Sequence, residues 1–356
     1  MTILDSPTTD RRDSLPLVAP QLPRWAPLLA LLIAGCAAGI VAIALSWGLA
    51  GTVVLTVVLL AVGLPLWSRA VEGSRRAKDR LATILIWSTF GIAIFPLATL
   101  IWQVVKNGAP ALSSEFFTYS MRNVVGEGGG IYHAIIGTLI ITLWATAISV
   151  PVGVLAAVYL VEYGENRLPA RIVTFLVDVM TGIPSIVAGL FAYALFVLFF
   201  GPGVRMGFGG SVALAVLMIP IVVRSTEEML KLVPDELREA SYALGVPKWR
   251  TITKVVIPTS LAGIITGVTL AIARVAGETA PLLIIAGKTD SVNFNAFAER
   301  MQSLPVFIYY SFTQPGVPKE FGQERAWGAA LVLIALVMVL NLIARVIGRF
   351  FAPSKR

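Results

Sequence analysis

Residues 234–258 read PDELREASYALGVPKWRTITKVVIP, and the rest of the chain is organised around this stretch. Pro234 suits the first turn of a helix, where its missing N–H has no intrahelical partner to lose. Asp235 and Glu236 follow, and carboxylates are favourable near a helix N-terminus. The spacing predicts a short helix reaching Leu244, with Gly245 at the left-handed position that ends it. Pro247 then opens a second helix that runs back to Pro258. One side of the short helix offers Leu237, Ala240, Ser241 and Leu244, a small, partly apolar knob that suits a groove on a soluble partner. The competing reading is an amphipathic helix lying on lipid. Asp235, Glu236 and Glu239 make anionic lipid a poor match, so a protein partner is favoured.

What flanks this loop on both sides is apolar. Of 356 residues, 57% are hydrophobic and only 13% charged, against about 25% charged in soluble domains. Mean hydropathy is +0.83. A helix needs about 20 apolar residues to cross a bilayer, and several such runs are present. They lie at about Trp25–Trp47, Thr52–Trp67, Leu81–Val105, His133–Leu160, Ile172–Phe200, Gly209–Val223, Val255–Ala286 and Ala326–Ile347. The expectation is an all-α integral membrane protein of about eight spans. The first two, joined by a minimal turn at Ala50-Gly51, form an N-terminal two-helix hairpin (25–68), with Trp25, Trp47 and Trp67 at depths where indoles favour the interface.

The net charge of +8 would suggest nucleic acid in a soluble protein. Here basic residues between apolar runs fix orientation instead. Arg69, Arg75, Arg76, Lys78 and Arg80 outnumber Glu72 and Asp79 in a basic linker (69–80). Arg224, Lys231, Arg238, Lys248, Arg250 and Lys254 mark the loop at 224–258, and Arg349, Lys355 and Arg356 mark the C-terminal tail (351–356). Alternation puts all of these on the cytoplasmic side, with the mixed-charge turn Glu162–Arg171. The loops Lys106–Tyr132, Gly201–Gly210 and Gly287–Arg325 are then outside. The polar start (1–24), with Arg11, Arg12 and Arg24, reads as a cytoplasmic tail before a retained span, since no small-residue cleavage site stands out. The single Cys36 permits no intramolecular disulfide, and with the single His133 it gives no Cys/His metal set.

Ionisable groups within spans are costly, about 2.5–3.5 kcal/mol for Arg or Asp at a helix centre, and are functional hypotheses by default. Arg274 and Glu278 have the i, i+4 spacing of one helix face, so they are expected to neutralise each other in part. Ala273, Ala276 and Gly277 allow close helix approach, and Pro281 can kink the span. A guanidinium matches phosphate geometry, so this pair suits an anion path; a structural ion pair is the plain alternative. Asp178 is either interior or near the cytoplasmic end of its span. Gly182 and Pro184 loosen the helix that follows it.

Glu239-Ala240-Ser241, then Gly245, then Val255, Ile257 and Pro258 resemble the EAA loop of ABC-importer permeases, with Ser241 for the last Ala and Val255 and Ile257 for Ile and Leu. The segments GIPSIVAGLF (182–191) and ARVAGETAPLL (273–283) look like the PstA-type permease family of phosphate-specific importers. The resemblance covers about Leu81 to the C-terminus, which makes 81–350 a six-helix type I ABC-importer permease core and leaves the first hairpin as an addition. It implies import of inorganic phosphate, as one half of a pore shared with a PstC-type sister permease. An ATP-binding ABC subunit dimer and an extracytoplasmic phosphate-binding protein would complete the assembly.

In the family the short helix docks into a cleft on the ATPase subunit, a role the resemblance implies for Glu239, Ala240 and Gly245 within the coupling loop that also holds Ser241 and Pro258. Arg274 and Glu278 match positions important for translocation, and Gly182, Pro184, Gly277 and Pro281 would serve helix packing and gating. Arg224 reads as a positive-inside anchor. No G-x-x-x-x-G-K-[ST] loop is present, so ATP would be used by the partner and this chain would carry no cofactor. A permease for sulfate, molybdate or an organic solute would share the EAA loop. An ion-coupled secondary transporter would be expected to show inverted repeats, and none is evident. A membrane enzyme would have little beyond His133 from which to build a site.

Overall fold

The computed structural model describes residues 21–164 and 167–351, with side chains described as far as residue 346. Arg11, Arg12, Lys355 and Arg356 lie outside the described residues, as does the side chain of Arg349. Among the described residues all regular structure is helical. Seven helices are long and apolar enough to cross a membrane, and an eighth span is possible where two helices meet at a bend of 111°. The chain separates into two compact units between Ile101 and Trp102, within the third helix.

The first unit holds α1 (Ala26–Ala44), α2 (Leu49–Val71) and most of α3 (Ser74–Gly108). Ala26, Ala34, Ala38 and Ala42 are buried at intervals of four or eight, so α1 presents a stripe of small side chains. The basic stretch at 69–80 is helical except at Glu72 and Gly73. Glu72 is the knot of this unit. Its Oε1 accepts from the Leu22 N–H (2.9 Å) and from Arg80 Nη2 (2.9 Å). Its Oε2 accepts from Ser68 Oγ (2.6 Å) and Arg80 Nε (2.8 Å). All four lone-pair sites of the carboxylate are therefore used, and the segment before α1, the end of α2 and the start of α3 meet at one group. The Arg80 guanidinium, helped by Ser68 and the Leu22 amide, holds the Glu72 carboxyl far below the usual carboxylate range, against the opposing effect of burial.

The second unit is built on two paired helices, α5 (Tyr132–Val158) and α8 (Gly207–Lys231). Ile141 and Ala145 of α5 share a core with Leu214, Met218 and Val222 of α8. Before α5, α4 (Ser114–Thr118) is capped by Ser113, whose Oγ accepts from the Phe116 N–H at 3.1 Å. Between α5 and α8 lie α6 (Leu168–Thr181) and α7 (Ser185–Phe200). After α8 come α9 (Asp235–Ala243), α10 (Lys248–Thr251), α11 (Ile257–Ala276), α12 (Ala280–Ile285), α13 (Leu304–Thr313) and α14 (Lys319–Phe351).

Three expectations are corrected by these boundaries. Ile172–Phe200 is not one straight span but α6 and α7 meeting at 111°. Pro184 cannot donate to the preceding turn, and its ring disfavours an α conformation at Ile183. The span expected at Gly209–Val223 continues as helix to Lys231, because Glu227 pairs with both Arg224 (2.7 Å) and Lys231 (2.7 Å) and carries the helix past the apolar run. The segment Gly287–Arg325 is not merely a loop. It contains α13, whose Leu304, Val306 and Phe307 are buried and whose first N–H is taken by Thr138 Oγ1 of α5 at 2.7 Å. At ten residues α13 is too short to register as a span.

Glu72→Ala should free the Leu22 amide and leave Arg80 without its carboxylate. Losing a hydrogen bond to a charged group costs about 1.5–3 kcal/mol, so hydrogen exchange at Leu22 should accelerate by roughly tenfold or more. In the wild-type chain the same contact has a pH dependence of known sign. Because the folded carboxyl ionises below its unfolded value, the stabilisation is complete above the unfolded carboxylate pKa and disappears as pH falls through the folded one. Exchange at Leu22 followed across an acid titration checks this direction.

Candidate functional site

The loop quoted at the outset folds as its punctuation predicts. Pro234 precedes α9, and Asp235 and Glu236 occupy its first turn. Gly245 has φ +74°. Its N–H donates to Tyr242 O (2.9 Å) and the Val246 N–H donates to Ser241 O (3.2 Å), the paired closing bonds of a Schellman motif. No atom lies within 4 Å of where a Cβ on Gly245 would stand, so the backbone alone demands glycine. After Pro247, α10 leads through a π-helical turn, Ile252–Val256, into α11. Pro258 sits in the first turn of α11, where its missing donor is tolerated.

The exposed side of α9 and its flank carries Leu237, Glu239, Ala240, Tyr242 and Leu244, with Leu244 at 83% exposure. The expected knob thus exists, with one correction. Ser241 does not belong to it. Its side chain is turned inward, and Ser241 Oγ and Thr251 Oγ1 share a buried hydrogen bond of 2.8 Å. The hydroxyl that departs from the Glu-Ala-Ala pattern therefore fastens α9 to the start of the following span. Arg238, three residues earlier on the same inward face, reaches Glu162 at the far end of a second π-helical turn, Tyr159–Tyr163, which closes α5. Sequence reasoning counted Arg238 only as a positive charge and Glu162 only as part of a mixed turn. The signal available was the i, i+3 spacing of Arg238 and Ser241.

The two segments that carried the family resemblance meet in space. α6 ends at Thr181 with Gly182 as its C-cap, and Pro184 is the N-cap of α7. α11 ends at Ala276 with Gly277 as its C-cap, and α12 begins after Thr279. Each is a helix broken over a few residues. A Cβ on Gly189 of α7 would lie 2.6 Å from Pro281 Cα of α12, so the halves beyond the two breaks touch backbone to backbone. Pro281 does not kink a continuous helix; it occupies the first turn of α12, where it removes no bond.

The break also changes the expected pairing of Arg274 and Glu278. Side chains at i and i+4 face each other only while the helix continues, and α11 stops between them. Arg274 is in the last turn of α11 and exposed, and Glu278 is half-buried in the break. Among the described residues neither takes part in an ion pair. Arg224 is different: it pairs with Asp178 of α6 and with Glu227 Oε2 on its own helix (2.7 Å). Asp178 thus secures the amphipathic α6 to α8 just before the break. Two cavities of about 230 and 190 Å³ are present, and neither is lined by Arg274 or Glu278.

A long, apolar, broken-helix architecture with an exposed short helix in a polar loop is matched by known proteins. Residues 149–356 match the family described as binding-protein-dependent transport system inner membrane component. The chain belongs to this family. A phosphate transport system permease protein of Mycobacterium tuberculosis (strain CDC 1551 / Oshkosh), PstA 1, is 47% identical over 295 residues, covering 82% of this chain and 95% of its own. The PstA phosphate transport system permease protein of Yersinia pestis is 40% identical over 291 residues, covering 81% and 94%. Among solved structures, a bacterial alginate ABC transporter in complex with a pentasaccharide-bound periplasmic protein superposes with TM-score 0.54 at 12% identity, covering 78% of this chain and 96% of that one. At that identity the likeness speaks for the fold alone. The family is multi-pass and resident in the cell membrane, which agrees with the apolar helices.

Two glycines of this permease should respond differently to the same change. Gly245→Ala strains one residue in the left-handed region at about 1–2 kcal/mol, with no clash. Gly189→Ala drives a methyl into the Pro281 backbone and should cost more, about 1–3 kcal/mol for overpacking, while separating α7 from α12. Thermal unfolding of both variants in detergent, with cross-linking between α7 and α12, checks the order.

Proposed function

We propose that this chain is a PstA-type permease subunit that carries inorganic phosphate into the cell. The observation behind this reading is the 47% identity to a phosphate transport system permease protein across 95% of that protein's length. Selection for a different solute would be expected to show first in the segments around the two breaks, and these are the segments that resemble the phosphate family. The reading includes a PstC-type sister permease, an ATP-binding subunit dimer and an extracytoplasmic phosphate-binding protein. ATP is used by the partner, and this chain takes no cofactor.

The physical argument concerns what one chain leaves open. Arg274 is exposed at the end of α11 beside an irregular backbone. Non-helical backbone at membrane depth is tolerated where protein buries it or where it lines a polar path, so a second permease closing over this surface supplies the other wall. In no ion pair among the described residues, the Arg274 guanidinium offers its donor fork to a phosphate oxygen in passing. Glu278 in the break limits how tightly an anion is held. Gly182, Pro184, Gly277 and Pro281 supply the breaks about which the half-helices can move. The exposed face of α9, with Glu239, Ala240 and Leu244, seats in the ATPase on the cytoplasmic side, and Gly245 and Pro258 fix the turn and the return of the chain. Both termini are cytoplasmic in this topology.

ATP-dependent uptake of labelled phosphate into proteoliposomes holding this chain, the sister permease and the ATPase, with binding protein outside, tests the reading. Uptake should resist excess sulfate. Losing a charged hydrogen bond costs about 1.5–3 kcal/mol, so Arg274→Ala should lower uptake by roughly ten- to a hundredfold with the complex intact. Transport of sulfate in place of phosphate would overturn the substrate assignment.

A further inference from the structure

We propose that Arg238 and Glu162 form a rigid link that makes α9 and α5 move as one body, so that Arg238 is a positioning residue for coupling and not a contact for the soluble partner. The proposal rests on the reading that α9 docks on an ATP-binding subunit.

A guanidinium has five N–H donors, and here each has its own acceptor contact. Nε donates to Glu162 Oε1 at 3.1 Å and Nη2 to the same oxygen at 3.0 Å. Nη2 also donates to Leu230 O at 3.0 Å. Nη1 donates to Val233 O at 2.6 Å and to Asp235 Oδ1 at 3.1 Å. No donor is left for a partner protein or for a transported anion. The Arg238 and Glu162 side chains are 13% and 4% exposed, so water competes little for the bonds between them, whereas Asp235 is open to solvent.

The acceptors lie on three elements. Leu230 and Val233 are the last turn of α8 and the turn after it, so the positive charge also satisfies carbonyls that a helix end leaves open. Asp235 is on α9 itself. Glu162 is on the π-helical turn that ends α5, and such turns are frequent at functional sites. The α9 helix is thus anchored twice, at Ser241 to Thr251 ahead of α11 and at Arg238 to α5 and α8. The first anchor is one neutral hydrogen bond, whereas the second is a charge-assisted fork, and charge-assisted bonds are roughly twice as strong as neutral ones. Lysine offers three donors from a point and cannot span the same acceptors.

The test uses the assembled complex in proteoliposomes, with spin labels at Ala243 of α9 and Leu139 near the other end of α5, both exposed. Their distance is measured without nucleotide and with ATP and vanadate. The expected result is an unchanged distance in the otherwise wild-type chain, and a shifted or broadened one with nucleotide in Glu162→Gln, Glu162→Ala and Arg238→Lys. Phosphate uptake per ATP hydrolysed should fall at least tenfold in Glu162→Ala and less in Glu162→Gln, which keeps an oxygen acceptor, while hydrolysis itself stays within about twofold. A distance that changes with nucleotide in the wild-type background, or stays fixed in all three variants, overturns the proposal. So does unaltered uptake per ATP in Glu162→Ala. Failure of all three variants to co-purify with the ATP-binding subunit also overturns it, since the pair would then serve folding alone. The distance measurement needs no transported solute, so its outcome stands apart from the phosphate assignment.

Discussion

Inside a hydrocarbon layer every main-chain N–H and C=O must find its partner within the protein, because no water is there to serve. This chain obeys that constraint by being helical through nearly all of its described apolar segments, with a few interruptions. The helix breaks at Gly182–Pro184 and Gly277–Thr279, and the half-helices beyond them are pressed together at Gly189 and Pro281. The π-helical turns at Tyr159–Tyr163 and Ile252–Val256 keep the helices running while altering their register beside α9. At the end of α8, where a helix runs out of its own donors, Arg238 supplies them.

Charge follows the same logic. Carboxylates shielded from water are held here by arginine forks: Glu72 has a donor at each of its four lone-pair sites, and Glu162 receives Arg238 Nε and Nη2 at Oε1. Asp178 and Arg224 lie closer to the surface and join α6 to α8 with less desolvation. Arg274 stands apart from these. Like Glu278 in the break beside it, it takes part in no ion pair among the described residues, and charges within spans are functional hypotheses by default, which motivates its proposed place on the solute path. Arg238, with all its donors engaged, is the contrasting case.

The family match at residues 149–356 lies within the second unit, while the 295 residues aligned with the Mycobacterium tuberculosis relative are more than that unit holds and take in part of the first. The first unit has its own means of cohesion, a stripe of alanines and one saturated carboxylate, so its hairpin is a formed element and not a loose addition.

The sequence by itself determined the solvent and the shape of the coupling loop. A run of apolar residues long enough to span a bilayer has one stable conformation there, and Pro234, Gly245 and Pro247 punctuate α9 through local backbone sterics, which need no distant neighbour. It marked Gly182, Pro184 and Pro281 only as points where a continuous span would loosen or kink; that the helices stop at Thr181 and Ala276 came from the structure. Only the tertiary structure decided which charges pair. The i, i+4 rule joined Arg274 to Glu278 on paper, and a break between them undid it. Arg238 and Glu162 are far apart in sequence, and nothing in either local pattern says that two helix ends bring them within 3.0 Å. Ser241 was read outward from an amphipathic pattern, and the hydroxyl of Thr251 drew it inward. Local sterics act over a turn of chain and can be read from it; ion pairs and hydrogen bonds between elements depend on how the helices pack.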